Sequence, residues 1–296
     1  MVLAATSAAS PWSVHAGERP VVIITSSDID AYRQAESGAR ERLRGPKVKA
    51  YALNGDPESI PDAVERASLL SPQAVIAIGS LAAAALKAHP VEAPVVFCLV
   101  IDHNAALKSV PHSWAISMHP PAEEAYARIS RIVPEHRIGI PYDPDHSGWL
   151  VREFLRFFKG TSMTLVPFIV RSAGELGPAL IDRRDEIDAL WIVPDPGFLD
   201  AMSVKYLLKY AATEGLPLIG YSDGFTRSGA VLSLAGDHRD MGRQAAEVVE
   251  RLKTGDSPSR VQPPRRVRTL INLRVAARLG IAIDPGVAEL AERVYP

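Results

Sequence analysis

Short runs of β-branched and apolar residues recur along the chain in two series, and the second series repeats the spacing of the first. The first begins at Val21-Val22-Ile23-Ile24 and continues at Val48-Lys49-Ala50-Tyr51, Ala74-Val75-Ile76-Ala77-Ile78 and Val95-Val96-Phe97. The second begins at Arg137-Ile138-Gly139-Ile140 and continues at Leu165-Val166-Pro167-Phe168-Ile169-Val170, Leu190-Trp191-Ile192-Val193 and Leu218-Ile219-Gly220-Tyr221. Each member of the second lies about 116 to 123 residues after its counterpart, the mark of an internal repeat. Apolar runs of this length suit strands of a parallel sheet buried on both faces. Helical stripes fill the gaps: Phe198, Leu199, Met202, Tyr206, Leu207 and Tyr210 form one, and Met241, Ala245, Val248, Val249 and Leu252 another. Strand and helix in alternation make an α/β chain with right-handed crossovers. Two Rossmann-like, doubly wound lobes fit ordinary core dimensions better than one eight-stranded sheet.

Between the two series, Ser113-Trp114-Ala115-Ile116-Ser117 reads as a short strand leading to a crossing at Pro120-Pro121. After residue 229 the pattern changes. Val231-Leu232-Ser233-Leu234, a helix near 239–253, the Pro- and Arg-rich stretch 257–268 and the strand Thr269-Leu270-Ile271-Asn272 read as repeated crossings between lobes. The expected boundaries are 20–117 with 237–262 for the first lobe, and 118–236 with 263–296 for the second. Residues 1–19 stand apart, as an N-terminal arm or a signal remnant. They are small and apolar without a basic start, yet Val14-His15-Ala16 has the small-x-small form of a cleavage site.

Composition removes several function classes. The 296 residues carry 33 Lys and Arg against 34 Asp and Glu, so no basic surface awaits nucleic acid. A single cysteine, Cys98, excludes a disulfide framework and a thiolate zinc site. No run of eighteen apolar residues exists to span a membrane. No two glycines are separated by one residue and no Gly precedes a Lys, which removes the dinucleotide fingerprint and the phosphate loop. The eight histidines include no i, i+4 pair, and His103, His112 and His119 read as solvated loop residues rather than metal ligands. No cofactor or metal is expected.

Gly220-Tyr221-Ser222-Asp223-Gly224 fits the Gly-x-Ser-x-Gly pattern of a hydrolase nucleophile elbow. An elbow opens a helix, whereas Phe225-Thr226-Arg227-Ser228-Gly229 reads as loop. The only histidine after Ser222 is His238, with no acid correctly placed in the order Ser, Asp, His. An esterase using Ser222 is therefore a remote alternative, and the chain is read as having no catalytic residues.

Ligands of open parallel sheets sit beyond the carboxyl ends of the strands. Those positions supply Ser27 and Asp28, Ser80, Asp102, Tyr142, Asp195, and Ser222 with Asp223 as candidate ligand-binding residues. Ser and Asp are also ordinary helix N-caps, so each has a structural reading beside the functional one. Four carboxylates among the eight (Asp28, Asp102, Asp195 and Asp223) favour a ligand with an amine or several hydroxyls. Tyr142 and Trp114 are placed either to stack on it or to pack.

The segments Asp188-Ala189-Leu190-Trp191-Ile192-Val193-Pro194-Asp195 and Leu216-Pro217-Leu218-Ile219-Gly220-Tyr221-Ser222-Asp223 resemble the family of ABC-transporter substrate-binding proteins of the tryptophan/tyrosine-binding kind. The resemblance continues through Gly229-Ala230-Val231-Leu232-Ser233-Leu234, Gly242-Arg243-Gln244-Ala245-Ala246 and Ile271-Asn272-Leu273-Arg274-Val275-Ala276, and ends at Leu279-Gly280-Ile281-Ala282-Ile283. It covers residues 20–296 and is most specific from 185 onward. It implies the type I periplasmic-binding-protein fold, two lobes joined by three hinge strands and closing on a small ligand. Gly79-Ser80 matches the family's hydroxyl at a helix start near a ligand carboxylate, and Asp195 and Ser222-Asp223 match its second-lobe positions. The chain departs from the family at Ile101-Asp102-His103, where Thr-Asp-Pro is usual. It departs again at Val110-Pro111-His112-Ser113-Trp114-Ala115, which replaces a Gly-Gly-Asn-x-Thr-Gly stretch.

The function so implied is that of a periplasmic or otherwise extracytoplasmic solute-binding protein. It would act as a monomer, capture an amino acid or similar small polar metabolite, and deliver it to an ABC permease of the inner membrane. The alternative is a sensory module that presents the same ligand to a membrane receptor kinase. The effector domain of a DNA-binding repressor is set aside, because no helix-turn-helix precedes residue 20 and no basic patch exists.

Overall fold

The computed structural model describes residues 19–43, 47–133 and 137–296. The expected N-terminal arm lies, Arg19 apart, outside the described residues. The chain divides into two compact units. One runs to Ser117 and takes back His238–Gln262; the other holds Met118–Asp237 and Pro263–Pro296.

The first unit opens with β1 (Val21–Thr25), α1 (Asp30–Arg42), β2 (Val48–Ala52), α2 (Ile60–Leu69), β3 (Ala74–Ile78) and α3 (Ser80–Ala88). β4 (Val95–Cys98), α4 (His103–Ser109) and β5 (Ser113–Ile116) follow. The second unit runs through α5 (Ala122–Ile129), β6 (Arg137–Tyr142), α6 (Gly148–Phe158), β7 (Thr164–Ile169), α7 (Ala173–Asp182), β8 (Ala189–Trp191) and α8 (Ala201–Glu214). β9 (Leu218–Gly220), α9 (Asp223–Ser228) and β10 (Leu232–Gly236) complete its first pass. The chain then returns α10 (His238–Lys253) and β11 (Val261–Gln262) to the first unit. It ends in the second with β12 (Val267–Asn272), α11 (Leu273–Arg278), α12 (Pro285–Leu290) and β13 (Arg293–Tyr295).

The first sheet has the order β11-β5-β4-β3-β1-β2, and every pairing is parallel. The second has the order β13-β12-β10-β9-β8-β6-β7, parallel except where β10 meets β12. Counted from the first strand of each unit, both sheets share one winding: the second strand lies outside the first, and the third lies on its other side. That repeat is the structural form of the offset in the sequence. The class is α/β with two mainly parallel sheets. β11 and β13 have no counterpart in the sequence, because two- and three-residue strands carry too little pattern; β10 and β12 fall on the runs at 231–234 and 269–272, but nothing in those runs shows that they pair antiparallel.

Burial follows position in the sheet. β1, β3 and β4 are buried at every residue, as strands covered on both faces must be. β2 is not: three of its residues are exposed, because it is an edge strand. The stripe expected on α8 also shifts. Ser203, Leu207 and Ala211 are buried, whereas Met202 is 71% exposed and Tyr206 lies partly in solvent. A capping box between Asp200 and Ser203 starts this helix, and Gly215, with φ of 65°, ends it in the left-handed conformation.

In the first unit α1 and α10 cross closely enough to exclude side chains at the contact. A Cβ on Gly38 would stand 1.9 Å from the Arg239 carbonyl oxygen, and one on Gly242 would stand 1.9 Å from that of Ala35. Glu41 accepts from Arg239 and Arg243 across the pair, and these guanidiniums hold its carboxyl down to about 2.

Candidate functional site

Each sheet reverses its winding beside its first strand, between β1 and β3 in one unit and between β6 and β8 in the other. At such a switch point the flanking loops diverge and leave a crevice at the carboxyl edge, where α/β folds bind ligands.

In the first unit the crevice is walled by the end of β1 and the start of α3. Ser26 is buried and stitches the two: its hydroxyl donates to the Ile78 carbonyl at 2.9 Å and accepts from the Ala82 amide at 2.9 Å. The N-cap of α3 is Gly79, with φ of 90° and no side chain to cap the helix. No Cβ fits there, since it would lie 2.5 Å from Ser26 Oγ and 2.6 Å from Tyr32 Cζ. Ser80 is the first residue of α3 rather than its cap. It is exposed, and its Oγ accepts from the Ile101 amide at 3.3 Å. Ser27 is half-buried on the same edge. Asp28 is exposed and pairs with Arg33 at 2.8 Å. Asp102 caps α4 by accepting from the Ala105 amide at 2.8 Å.

In the second unit a carboxylate makes the stitch. Asp195 is 1% exposed and accepts three hydrogen bonds within its unit: from the Asp143 amide at 2.8 Å, the Gly197 amide at 2.8 Å and the Ser147 hydroxyl. Burial pushes its pKa up against the pull of those donors. Tyr142, half-buried, ends β6 and packs on the core of α5, α6 and β6. Ser222 caps α9 by accepting from the Phe225 amide. Asp223 lies 3.5 Å from Arg293 on β13, whose guanidinium also covers the Tyr295 ring.

The structure therefore gathers Ser27 and Ser80 at the first switch point and Tyr142 and Asp195 at the second. The four carboxylates do not stand as unpaired acceptors. Asp28 and Asp223 face arginines, Asp102 caps a helix and Asp195 is enclosed by three donors, so they no longer point to an amine-bearing ligand. Sequence reading passed over Ser26, Tyr32 and Ser147. Ser26 adjoins Ser27 at the end of the strand, but only the position of α3 shows which of the two is buried.

Two further expectations need correction. His103 and His119 are buried, not solvated. His119 packs edge-on against Trp149 at 5.5 Å, and burial lowers the His103 pKa to about 4 against the pull of Asp102. The segment after Ser222 is helical, not loop, so that objection to a nucleophile elbow is withdrawn. The elbow still fails on geometry. Ser222 has φ of −152° and ψ of 160°, ordinary extended backbone rather than the strained turn an elbow needs, and its hydroxyl is used as a cap. Among the described residues no three His, Cys, Asp or Glu side chains gather into a metal site. No described helix is long and apolar enough to cross a membrane.

Residues 44–295 match the sequence profile of the ABC transporter substrate binding protein family. The chain belongs to that family. No curated protein sequence matches it. Among solved structures, a ligand-free, open substrate-binding protein with adhesive properties from Clostridium difficile superposes with a TM-score of 0.71 at 16% identity, over 94% of this chain and 99% of that one. An ABC domain from Streptococcus pneumoniae in complex with L-Trp gives 0.68 at 20% identity, over 94% and 99%. A conserved domain protein from Vibrio cholerae gives 0.66 at 20% identity, over 93% and 99%. At these identities the likeness establishes the type I periplasmic-binding-protein fold.

Several residues that carried the family resemblance serve packing in this substrate-binding protein. Asp188 accepts from the Arg137 guanidinium at 2.6 and 2.9 Å, tying the starts of β6 and β8. Gly220 leaves room for the Phe225 side chain, 2.5 Å from where its Cβ would be. Asn272 caps α11 and donates to the Thr226 carbonyl at 2.9 Å.

Proposed function

We propose that this substrate-binding protein captures a small polar solute, of the amino-acid class, outside the cytoplasm and hands it to an ABC permease. The observation that carries the reading is the pair of switch points. Each is stitched by a buried polar side chain, Ser26 in one unit and Asp195 in the other, so that short polar residues are held at the carboxyl edge. Ser27 and Ser80 are the proposed direct contacts of the first unit, and Tyr142 with the α9 start at Ser222 and Asp223 those of the second. Asp195 is proposed as a positioning residue, with Asp28 and Asp102 as rim residues whose charges are already engaged. The amino-acid class rests on the L-Trp held by the Streptococcus pneumoniae relative.

The test is a thermal-shift screen of the purified chain against amino acids, dipeptides, sugars and nucleosides, with calorimetry on any hit. A solute present at 100 times its Kd stabilises the protein by about 2.7 kcal/mol, a readily resolved upward shift. An amino acid among the hits supports the reading. A sugar or nucleoside alone overturns the class, and no hit at millimolar concentration overturns solute capture.

A further inference from the structure

We infer that the first unit carries a second ligand site, at the amino edge of its sheet, that takes a small monocarboxylate with an apolar body. The cavity has a volume of about 340 Å³, inside the ~300–1,000 Å³ range of small-molecule sites. It lies wholly within one unit, where the starts of β3 and β4 meet the last turns of α2 and α10. The switch point stands at the opposite, carboxyl edge, and none of its candidate residues is in this wall. Pro72, Pro90 and Pro94 stiffen the wall, each with φ fixed by its ring, and Ser71 turns the chain off α2 in the left-handed conformation, with φ of 44°. Val91, Val249 and Leu252 supply apolar surface. A bare inorganic anion would gain nothing from that surface, whereas an alkyl body is driven onto it.

The charge on the wall is unbalanced. Arg19, just before β1, and Lys253, the last residue of α10, both line the cavity, and among the described residues neither pairs with a carboxylate. Glu92 is the one acid among the described lining residues. Two cations against one carboxylate leave a positive charge for an anionic group to meet, and the planar fork of a guanidinium matches a carboxylate. Arg19 is held in place by its neighbour on β3: the Gln73 side-chain N–H donates to the Arg19 carbonyl at 2.8 Å, and the Gln73 backbone amide donates to the Pro20 carbonyl at 3.0 Å. The other end of that side chain, Gln73 Oε1, is buried without a donor among the described residues. Buried acceptors are normally paired, so this wall is not the finished packing of a core. Lys253 also suits the C-terminal end of α10, but that role accounts for neither Arg19 nor the unpaired oxygen.

The probes are the straight-chain acids from butanoate to octanoate and the amines of the same lengths, titrated by calorimetry into the full chain. The expected result is that an acid binds and its amine does not. The double variant Arg19→Gln, Lys253→Gln should lower the affinity for that acid roughly tenfold or more at an unchanged urea midpoint. Ser80→Ala, at the opposite edge, separates this site from the switch point. An acid that Ser80→Ala no longer binds but the double variant still does is held at the switch point, and that result overturns the inference. Equal affinity of the wild type and the double variant also overturns it, as does equal binding of acid and amine, which would leave the apolar wall without its charges. No acid bound at millimolar concentration overturns it outright. Each of these failures leaves solute capture standing, because that reading is decided by its own thermal-shift screen.

Discussion

Replacing Gly242 by alanine tests the tightest contact in the fold. The new Cβ would stand 1.9 Å from the Ala35 carbonyl oxygen and 2.7 Å from its carbon. A carbon and an oxygen come no nearer than about 3.3 Å even in favourable C–H···O contacts. The helices must therefore part by more than ~1 Å, because the obstruction is backbone and cannot rotate away. A gap of that size forfeits at least about half of the dispersion energy of the facing atoms. The facing atoms include Ala35, Ala39, Ala245 and Ala246, all fully buried. Overpacking of this kind costs about 1–3 kcal/mol and occasionally more. Alanine returns about 1 kcal/mol through its better helix propensity. The clash wins, with a net loss of about 2 kcal/mol at the upper end of that range. Gly174→Ala is the control. It lies in the first turn of α7 with Ser172 Oγ 4.0 Å from its Cβ position, so only the propensity gain remains. Urea unfolding followed by circular dichroism gives both numbers, and hydrogen exchange at α1 and α10 amides locates the loss. A Gly242→Ala midpoint at or above that of the wild type would refute the close crossing.

Asp195→Ala should cost about 3 kcal/mol, since two amides and a hydroxyl lose their acceptor in a buried crevice; a loss under about 1 kcal/mol in urea unfolding would show that Asp195 stitches nothing. His103, held near 4 when folded and ordinarily near 6.5, binds fewer protons in the folded than in the unfolded state between those values. Its contribution is thus intact above about pH 6.5 and lost as pH falls toward about 4, by at most about 3 kcal/mol; His103→Gln should flatten the stability profile in that window, and an unchanged slope would contradict its burial. Gly79→Ala should lower the melting temperature and weaken amino-acid binding together, because its Cβ meets both Ser26 and Tyr32; full affinity in calorimetry would detach the α3 start from the site.

The architecture was legible because it rests on long-range pattern. Buried parallel strands such as β3 (Ala74–Ile78) need unbroken apolar runs, and two windings of one topology need two similar spacings. Edge positions blurred the signal. β2 keeps the sequence look of a strand but faces solvent, and Met202 and Tyr206 sit on α8 at core spacing without being in the core. The candidate site was legible only to the level of which loops stand at the switch points. Ser26 and Ser27 are the same residue type one position apart, yet backbone alternation sends only one of them into the β1–α3 stitch. Tyr32 offered no pattern at all, since its place depends on how α1 packs beside Gly79. Asp195 stands at the strand end the sequence points to, but a carboxylate there looks the same in sequence whether it faces a solute or three of its own unit's donors.

The two switch points show why a repeated fold need not repeat its chemistry. The winding demands that the loops leaving the first and third strands of each unit diverge, and something must hold those loops. Ser26 does this as both donor and acceptor, bridging a carbonyl and an amide without adding charge. Asp195 does it as acceptor only, so three donors must turn inward to meet it, and Asp143 and Ser147 are buried with it. The first solution leaves Ser80 exposed on the open edge, its hydroxyl oxygen accepting from the Ile101 amide. The second consumes its donors within the unit. Exchanging the stitch is therefore a sharper perturbation than removing it. Asp195→Ser would leave at least one of the three inward donors unmet, whereas Ser26→Asp would bury a charge beside the Ile78 carbonyl, so both exchanges should destabilise more than a Ser27→Ala change at the half-buried neighbouring position. Equal urea midpoints for the three variants would mean that the stitches are interchangeable and that the chemistry of each crevice is set elsewhere.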